Sequence, residues 1–227
     1  MIFHDYYADV PAPEVERFVL GQELGRLVTV GDDLTPHVGL YPFVYADGAF
    51  DLHLVRADEL AADLRARPAC VFEVDEVLGV IPSYWVHPQY AGSATAYHRT
   101  VIFECAATVV ENPEAVAAQQ LRLLARYQPE GGFRALAVDD PLYRGALAQL
   151  AAVRLEVKRA RVKFKLGQNR PPEARRQVIA RLRERGRPND ARAADALEWT
   201  LQTQPPAPGT GHPRPDADSR APLQYPP

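Results

Sequence analysis

Between Val153 and Leu166 apolar and polar side chains alternate, and the alternation changes phase once. Val153, Leu155 and Val157 are apolar at odd positions, whereas Val162, Phe164 and Leu166 are apolar at even ones. A period of two marks a strand with one buried face. The shift near Lys158–Arg159 calls for a bulge or bend that re-aims the side chains. In the second half Arg161, Lys163 and Lys165 occupy the other face, so this strand presents cations suited to an anion. A charged edge strand that resists edge-to-edge pairing explains the charges equally well.

The same reading extends along the chain. Pro13 in a first turn, followed by Glu14, opens a helix with Val15, Phe18 and Val19 on one face, which Gly25 is expected to end. Strands are expected over Arg26–Val30, Pro36–Tyr45 and Phe50–Val55, joined by Gly31-Asp32-Asp33 and Asp47-Gly48 as an antiparallel meander. Asp58–Ala66 reads as a short helix closed by Pro68, and Ala69–Val74 as a strand. Gly79–Ala94 reads as an ordered, aromatic-rich loop. Tyr97–Val110 is the longest strand candidate, stopped by Asn112-Pro113. The helix Glu114–Tyr127 carries apolar rows Val116/Leu123/Tyr127 and Ala117/Leu121/Leu124, and Pro141–Leu150 is a further short helix.

After Pro171-Pro172 the period becomes helical: Arg175, Val178, Ile179 and Leu182 share one face. A second helix over Asp190–Leu201 completes a hairpin broken at Gly186–Pro188. The fold expected is α+β, mainly β: six or seven mostly antiparallel strands in a small closed or half-open barrel, with flanking helices and a C-terminal helical hairpin. The barrel is assigned to residues 1–170 and the hairpin to 171–202. Residues 203–227 form a Pro-rich tail whose composition predicts disorder.

Composition narrows the function. The formal net charge of −3 gives no global attraction to nucleic acid or membrane. Locally, Lys158–Arg187 holds twelve Lys and Arg against two acids, Glu173 and Glu184, which makes that segment a cationic surface. Cys70 and Cys105 lie in strand-like runs and read as buried, reduced thiols. With no membrane-length apolar run and no signal-peptide order at the N-terminus, a soluble cytoplasmic protein is expected.

The sequence lacks GxGxxG, GxxxxGK[ST], HExxH and GxSxG, and its six histidines show no paired ligand spacing, so no dedicated metal site is expected. Candidate chemistry sits in four patches. His53 and Arg56 lie at a strand end ahead of Asp58, an acid suited to cap the next helix. Pro82-Ser83-Tyr84-Trp85 offers a hydroxyl and two flat rings. Tyr97 and Arg99 share one face of the long strand, with His98 and Thr100 on the other. Lys163 and Lys165 lead into Gly167, Gln168, Asn169 and Arg170. Singly, His53 reads as a hydrogen-bonded core histidine, Trp85 as packing and Arg99 as an ion-pair group. Together they are what a phosphorylated planar cofactor requires: cationic forks for the phosphate, flat walls for the ring, amides or imidazole for its polar edge.

The blocks HLVRADEL, IPSYW, TAYHRTV and KFKLGQNR, in this order, resemble the PaiB-type family, labelled FMN-binding negative transcriptional regulators. That family belongs to the FMN-binding split β-barrels, with pyridoxamine phosphate oxidases. The resemblance covers residues 1 to about 201. It implies an FMN-binding split β-barrel, a homodimer with FMN at its interface, and redox activity on an unnamed small molecule or a flavin-linked regulatory role. Residue by residue it assigns cofactor contacts to His53, Arg56, Ser83, Trp85, Lys165, Gln168 and Asn169; Tyr97, His98, Arg99 and Lys163 join them on the adjoining strand segments. Departures are Tyr84-Trp85 for Trp-Tyr, Asp58-Glu59 for Asn-Pro, and Thr95-Ala96-Tyr97-His98 for Thr-Trp-Asn-Tyr. Piperazate synthases resemble the same family but hold haem b. On that alternative His53 is the axial iron ligand and the reaction is N–N bond formation. A third expectation, from the family label, is a DNA-associated regulator using the basic helix Arg175–Arg187.

Overall fold

The computed structural model describes residues 2–203; beyond Thr203 the expected Pro-rich tail lies outside the described residues. Helices α1 (Asp5–Ala8) and α2 (Ala12–Leu20) precede strands β1 (Leu24–Val30), β2 (Pro36–Pro42), β3 (Val44–Ala46) and β4 (Ala49–Val55). Helix α3 (Glu59–Ala66) leads to β5 (Ala69–Ile81), and two short 3-10 turns separate β5 from β6 (Thr95–Val110). Helices α4 (Pro113–Tyr127) and α5 (Pro141–Leu147) lead to β7 (Leu150–Lys165), which α6 (Pro172–Arg185) and α7 (Asp190–Thr203) follow. The seven strands form one sheet in the order β2-β1-β5-β6-β7-β4-β3. β1 pairs antiparallel with β2 and β5, and β4 with β3 and β7, where Leu52 stands opposite Val153. The α+β, mainly antiparallel expectation holds.

The described chain divides into two compact units. One comprises Ala8–Glu76 and Arg99–Phe164 with the extreme N-terminus; the other comprises Val77–His98, the chain from Lys165 onward and His4–Tyr7. The first unit has an aromatic centre. Phe50 lies 5.4 Å from Phe43, 4.6 Å from Phe72 and 4.8 Å from Phe103, ring centre to ring centre. This centre explains two departures from the expected boundaries. The strand expected over Pro36–Tyr45 breaks at Phe43, whose ring is fully buried and whose N–H donates to the Tyr127 hydroxyl at 3.1 Å, outside the ladder. The first helix stops at Leu20, and Gly25 instead lies inside β1, because a Cβ there would stand 2.4 Å from the Phe72 ring.

β5 runs seven residues beyond the expected end at Val74. Glu76 hid that extension. It occupies an inward position between Val74 and Leu78, and a buried carboxylate interrupts the apolar alternation that sequence reading relies on. In β7 the phase shift occurs as expected: Ala151, Val153 and Leu155 are buried, Lys158–Ala160 are exposed, and Phe164 returns to the interior.

In the second unit α6 and α7 form the expected hairpin, with Val178, Ile179 and Leu182 buried from one helix and Ala193, Ala194 and Leu197 from the other. Gly186 takes the left-handed conformation that ends α6, its N–H donating to Leu182 O at 3.1 Å. Among the described residues no helix is long and apolar enough to cross a membrane.

Candidate cofactor site

In the first unit, β4 alternates between two faces. Phe50, Leu52 and Leu54 are buried, with Phe50 in the aromatic centre, while Asp51, His53 and Val55 point the other way. Asp51 is met by Arg122 of α4 at 3.2 Å and Arg154 of β7 at 3.3 Å. His53, two residues on and opposite Ala152, is half-buried, and its Nδ1 is enclosed without a hydrogen-bond partner. Burial pushes its pKa down, so the ring is a neutral imidazole near pH 7.

Arg56 lies just past the strand. Its N–H donates to Gln149 O at 2.8 Å and its Nε to Leu150 O at 2.9 Å, while Nη2 bonds Glu111 O and Nη1 lies 3.7 Å from the Glu111 carboxylate. The fork therefore ties the end of β4 to the entry of β7. Asp58 caps α3 as expected, Oδ1 accepting from Leu60 N at 2.9 Å. Arg99 is likewise engaged. Its Nε donates to Glu76 Oε2 at 2.8 Å and Nη2 to the same oxygen at 2.5 Å. The guanidinium lies 5.0 Å from the Phe18 ring and 5.8 Å from Phe164. This is the ion-pair role, with two aromatic rings packed beside the guanidinium. Lys163 Nζ donates to Ile2 O at 2.9 Å.

The second unit holds the remaining candidates. Ser83 begins a 3-10 turn, its carbonyl accepting from Val86 N at 2.9 Å and His87 N at 2.8 Å. Trp85 is buried, with Arg185 4.8 Å above its ring. Arg185 also grips Asp190 through Nε at 2.8 Å and Nη2 at 2.5 Å and donates to Val80 O at 2.9 Å. One face of Trp85 is thus covered by structure. Tyr97 is 2% exposed, and burial raises its phenol well above the ordinary value, so it stays a protonated donor. His98, Lys165 and Asn169 are partly exposed. Gln168 is buried and folds back so that Oε1 accepts from Leu166 N at 2.8 Å, bracing the turn at Gly167, whose φ is +81°.

Seven of the eleven candidates therefore gather in the second unit and four in the first: His53, Arg56, Arg99 and Lys163. Sequence reading missed Glu76, Glu111 and Arg185, the groups that engage these side chains, because ion pairs between distant residues leave no local pattern. It placed Arg175 on the helix face shared with Val178, Ile179 and Leu182 but did not count it among the cofactor contacts, although it lies on the inner face of α6 among apolar residues. An arginine at a core position was the available signal.

A phosphorylated flavin requires polar partners for its ring edge and cations for its phosphate. The unpartnered, neutral His53 Nδ1 fits the first need. The lysines and amides of Lys163–Asn169 have the chemistry of the second. The forks of Arg56 and Arg99 are already answered by glutamates. Among the described residues no cluster of three His, Cys, Asp or Glu side chains is arranged to hold a metal ion.

The architecture is that of the flavin-binding split β-barrels. It is similar to the conserved hypothetical protein Rv2991 from Mycobacterium tuberculosis, with 22% identity, a TM-score of 0.54, and coverage of 73% of this chain and 91% of that one. It is also similar to the flavocytochrome Anf3 from Azotobacter vinelandii, at 16% identity, TM-score 0.59 and 72% of each chain. A third likeness is to the FAD and haem binding protein from Mycobacterium smegmatis, at 16% identity, TM-score 0.56, covering 75% of this chain and 78% of that one. No curated protein matches the sequence. Residues 1–159 match the family described as "Putative FMN-binding domain", and the chain belongs to that family. That family is one of FMN-binding domains. The matched region ends before Lys163, Lys165, Gln168 and Asn169.

Proposed function

We propose that the protein is a PaiB-like FMN flavoprotein, a homodimer with the cofactor at its interface, that transfers electrons or hydride to or from a small molecule or links flavin state to regulation. The observation that carries this reading is His53: a neutral imidazole on a barrel strand whose enclosed Nδ1 has no partner among the described residues. In a buried site such an atom costs free energy unless a ligand completes it. His53 Nδ1 would accept from a donor at the flavin edge, and Lys163, in the same unit, would offer the flavin a cation. Arg56 and Arg99 would hold the strand ends in register. FMN, when bound, supplies the redox chemistry; the protein's part is binding, orientation and exclusion of water. The absorbance spectrum of purified protein before and after adding FMN tests this. Twin flavin bands that weaken in His53→Ala are expected, and a protein that stays colourless in excess FMN refutes it.

A second reading is supported by the same atom. A neutral histidine nitrogen without a partner is also what an axial haem ligand requires, and two proteins of similar fold are named as a flavocytochrome and a FAD and haem binding protein. On this reading the protein is a piperazate-synthase-like, haem b enzyme, and a Soret band that disappears in His53→Ala is its signature. Nucleic-acid binding has less support. Along α6, Arg176 pairs with Glu173, Arg181 with Glu184, Arg183 with Asp195 and Glu198, and Arg185 with Asp190, so phosphates would have to displace bound carboxylates.

A further inference from the structure

Among the described residues Arg175 is the largest fully enclosed side chain, with 2% of its surface exposed. It sits at the fourth position of α6, on the same face as Val178, Ile179 and Leu182. Nη1 donates to Thr200 Oγ1 at 2.9 Å, and the buried Nε has no partner. Among the described residues no carboxylate pairs with it. Glu173, the one acid whose charge favours the guanidinium, pairs instead with Arg176 at 3.5 Å. Arginine is almost never fully buried without a counter-charge, because dehydrating the cation is costly and a single hydroxyl does not offset it.

The groups around it indicate what is missing. At Gly167 a Cβ would stand 3.5 Å from the Tyr97 hydroxyl oxygen and 3.6 Å from Arg175 Cγ, so the absent side chain leaves a small space that both border. The backbone there, at φ +81°, favours glycine, and Arg170 N–H donates to Gly167 O at 2.8 Å to close the turn. The Arg170 and Arg175 charges both act on Tyr97. The Tyr97 hydroxyl and the stem of the Arg175 side chain thus flank one glycine turn, all within the second unit.

We propose that Arg175, with Tyr97 beside the Gly167 turn, is an oxyanion site that takes the phosphate or carboxylate of a small-molecule ligand. The anion completes the buried guanidinium, with Tyr97 as a neutral donor. Two sources share this chemistry: the phosphate of FMN, or an anionic group on a second ligand. The site itself does not rest on the flavin reading; only the first source does.

Inorganic phosphate is the probe, with potassium chloride at matched ionic strength as control. For the wild-type chain, phosphate at about ten times its dissociation constant should raise the thermal midpoint by about 4 °C over chloride. Arg175→Met should abolish that rise, and Arg175→Lys should retain part of it. FMN and riboflavin are then titrated into wild type and Arg175→Met. If FMN's phosphate is the natural occupant, the variant loses about thirtyfold in FMN affinity with riboflavin unchanged. If a second ligand supplies the anion, both flavins bind as before while the phosphate response is lost. Should neither flavin bind wild type, the flavin reading fails and the phosphate response still decides the site. Should Arg175→Met not fold, the wild-type comparison of phosphate with chloride decides it. No phosphate-specific rise in wild type, together with an unchanged FMN-to-riboflavin preference in the variant, overturns the proposal.

Discussion

Arg99 shows how one residue's role depends on its company. On a bare strand its fork is suited to phosphate, but here Glu76 accepts from both Nε and Nη2, and Phe18 and Phe164 pack beside the guanidinium. Removing one partner of a buried pair leaves the other uncompensated. Arg99→Met should therefore lower stability by about 3 kcal/mol in chemical denaturation while changing flavin affinity less than threefold; a large affinity loss at unchanged stability would return Arg99 to the phosphate. His37 makes a second case. Its Nδ1 lies 2.8 Å from Asp63 Oδ2, which also accepts from Thr29 Oγ1 at 2.6 Å. The hydrogen bond to Asp63 holds the imidazole protonated above its ordinary value. Partial burial pushes Asp63 up, but the bonds from Thr29 and His37 outweigh it and leave its pKa lowered. His37 thus contributes fully below the unfolded value of about 6.5 and less as pH rises through its raised folded value. Asp63 contributes above about 3.8 and less as pH falls through its lowered one. The unfolding midpoint should decline from pH 6 to pH 8, and His37→Asn should flatten that decline.

At the scale of elements, close approach between strands decides where they begin. Gly25 looked like a helix stop and proves to be an interior strand position, because the Phe72 ring and Glu73 O crowd the space where its Cβ would be. Gly25→Ala should cost about 2 kcal/mol, since that ring belongs to the aromatic centre and cannot move aside freely; an unchanged midpoint would mean that the crowding is relieved cheaply. The helical hairpin was legible because both helices repeat their apolar residues every three or four positions and carry the punctuation of Pro171-Pro172 and Gly186. The extension of β5 was not, because Glu76 lies buried where the pattern demands an apolar side chain, and its partner is 23 residues away.

At the scale of the molecule, the homodimer reading has a direct check. Light scattering on the flavin-loaded protein should give twice the 25.2 kDa of one chain, with one FMN bound per chain; a monomer retaining full FMN would refute cofactor binding at an interface. The sequence by itself determined the α+β class, the antiparallel pairing, the phase shift in β7, the hairpin and the blocks that resemble flavin proteins. These depend on periodicity and turn chemistry, which are local. Only the tertiary structure decided that Arg56 and Arg99 are answered by Glu111 and Glu76 and that, among the described residues, His53 Nδ1 is left without a partner and Arg175 is enclosed without a counter-charge. Each of these is a balance of burial against the charges and hydrogen bonds brought from far along the chain, and that balance exists only once the chain has folded.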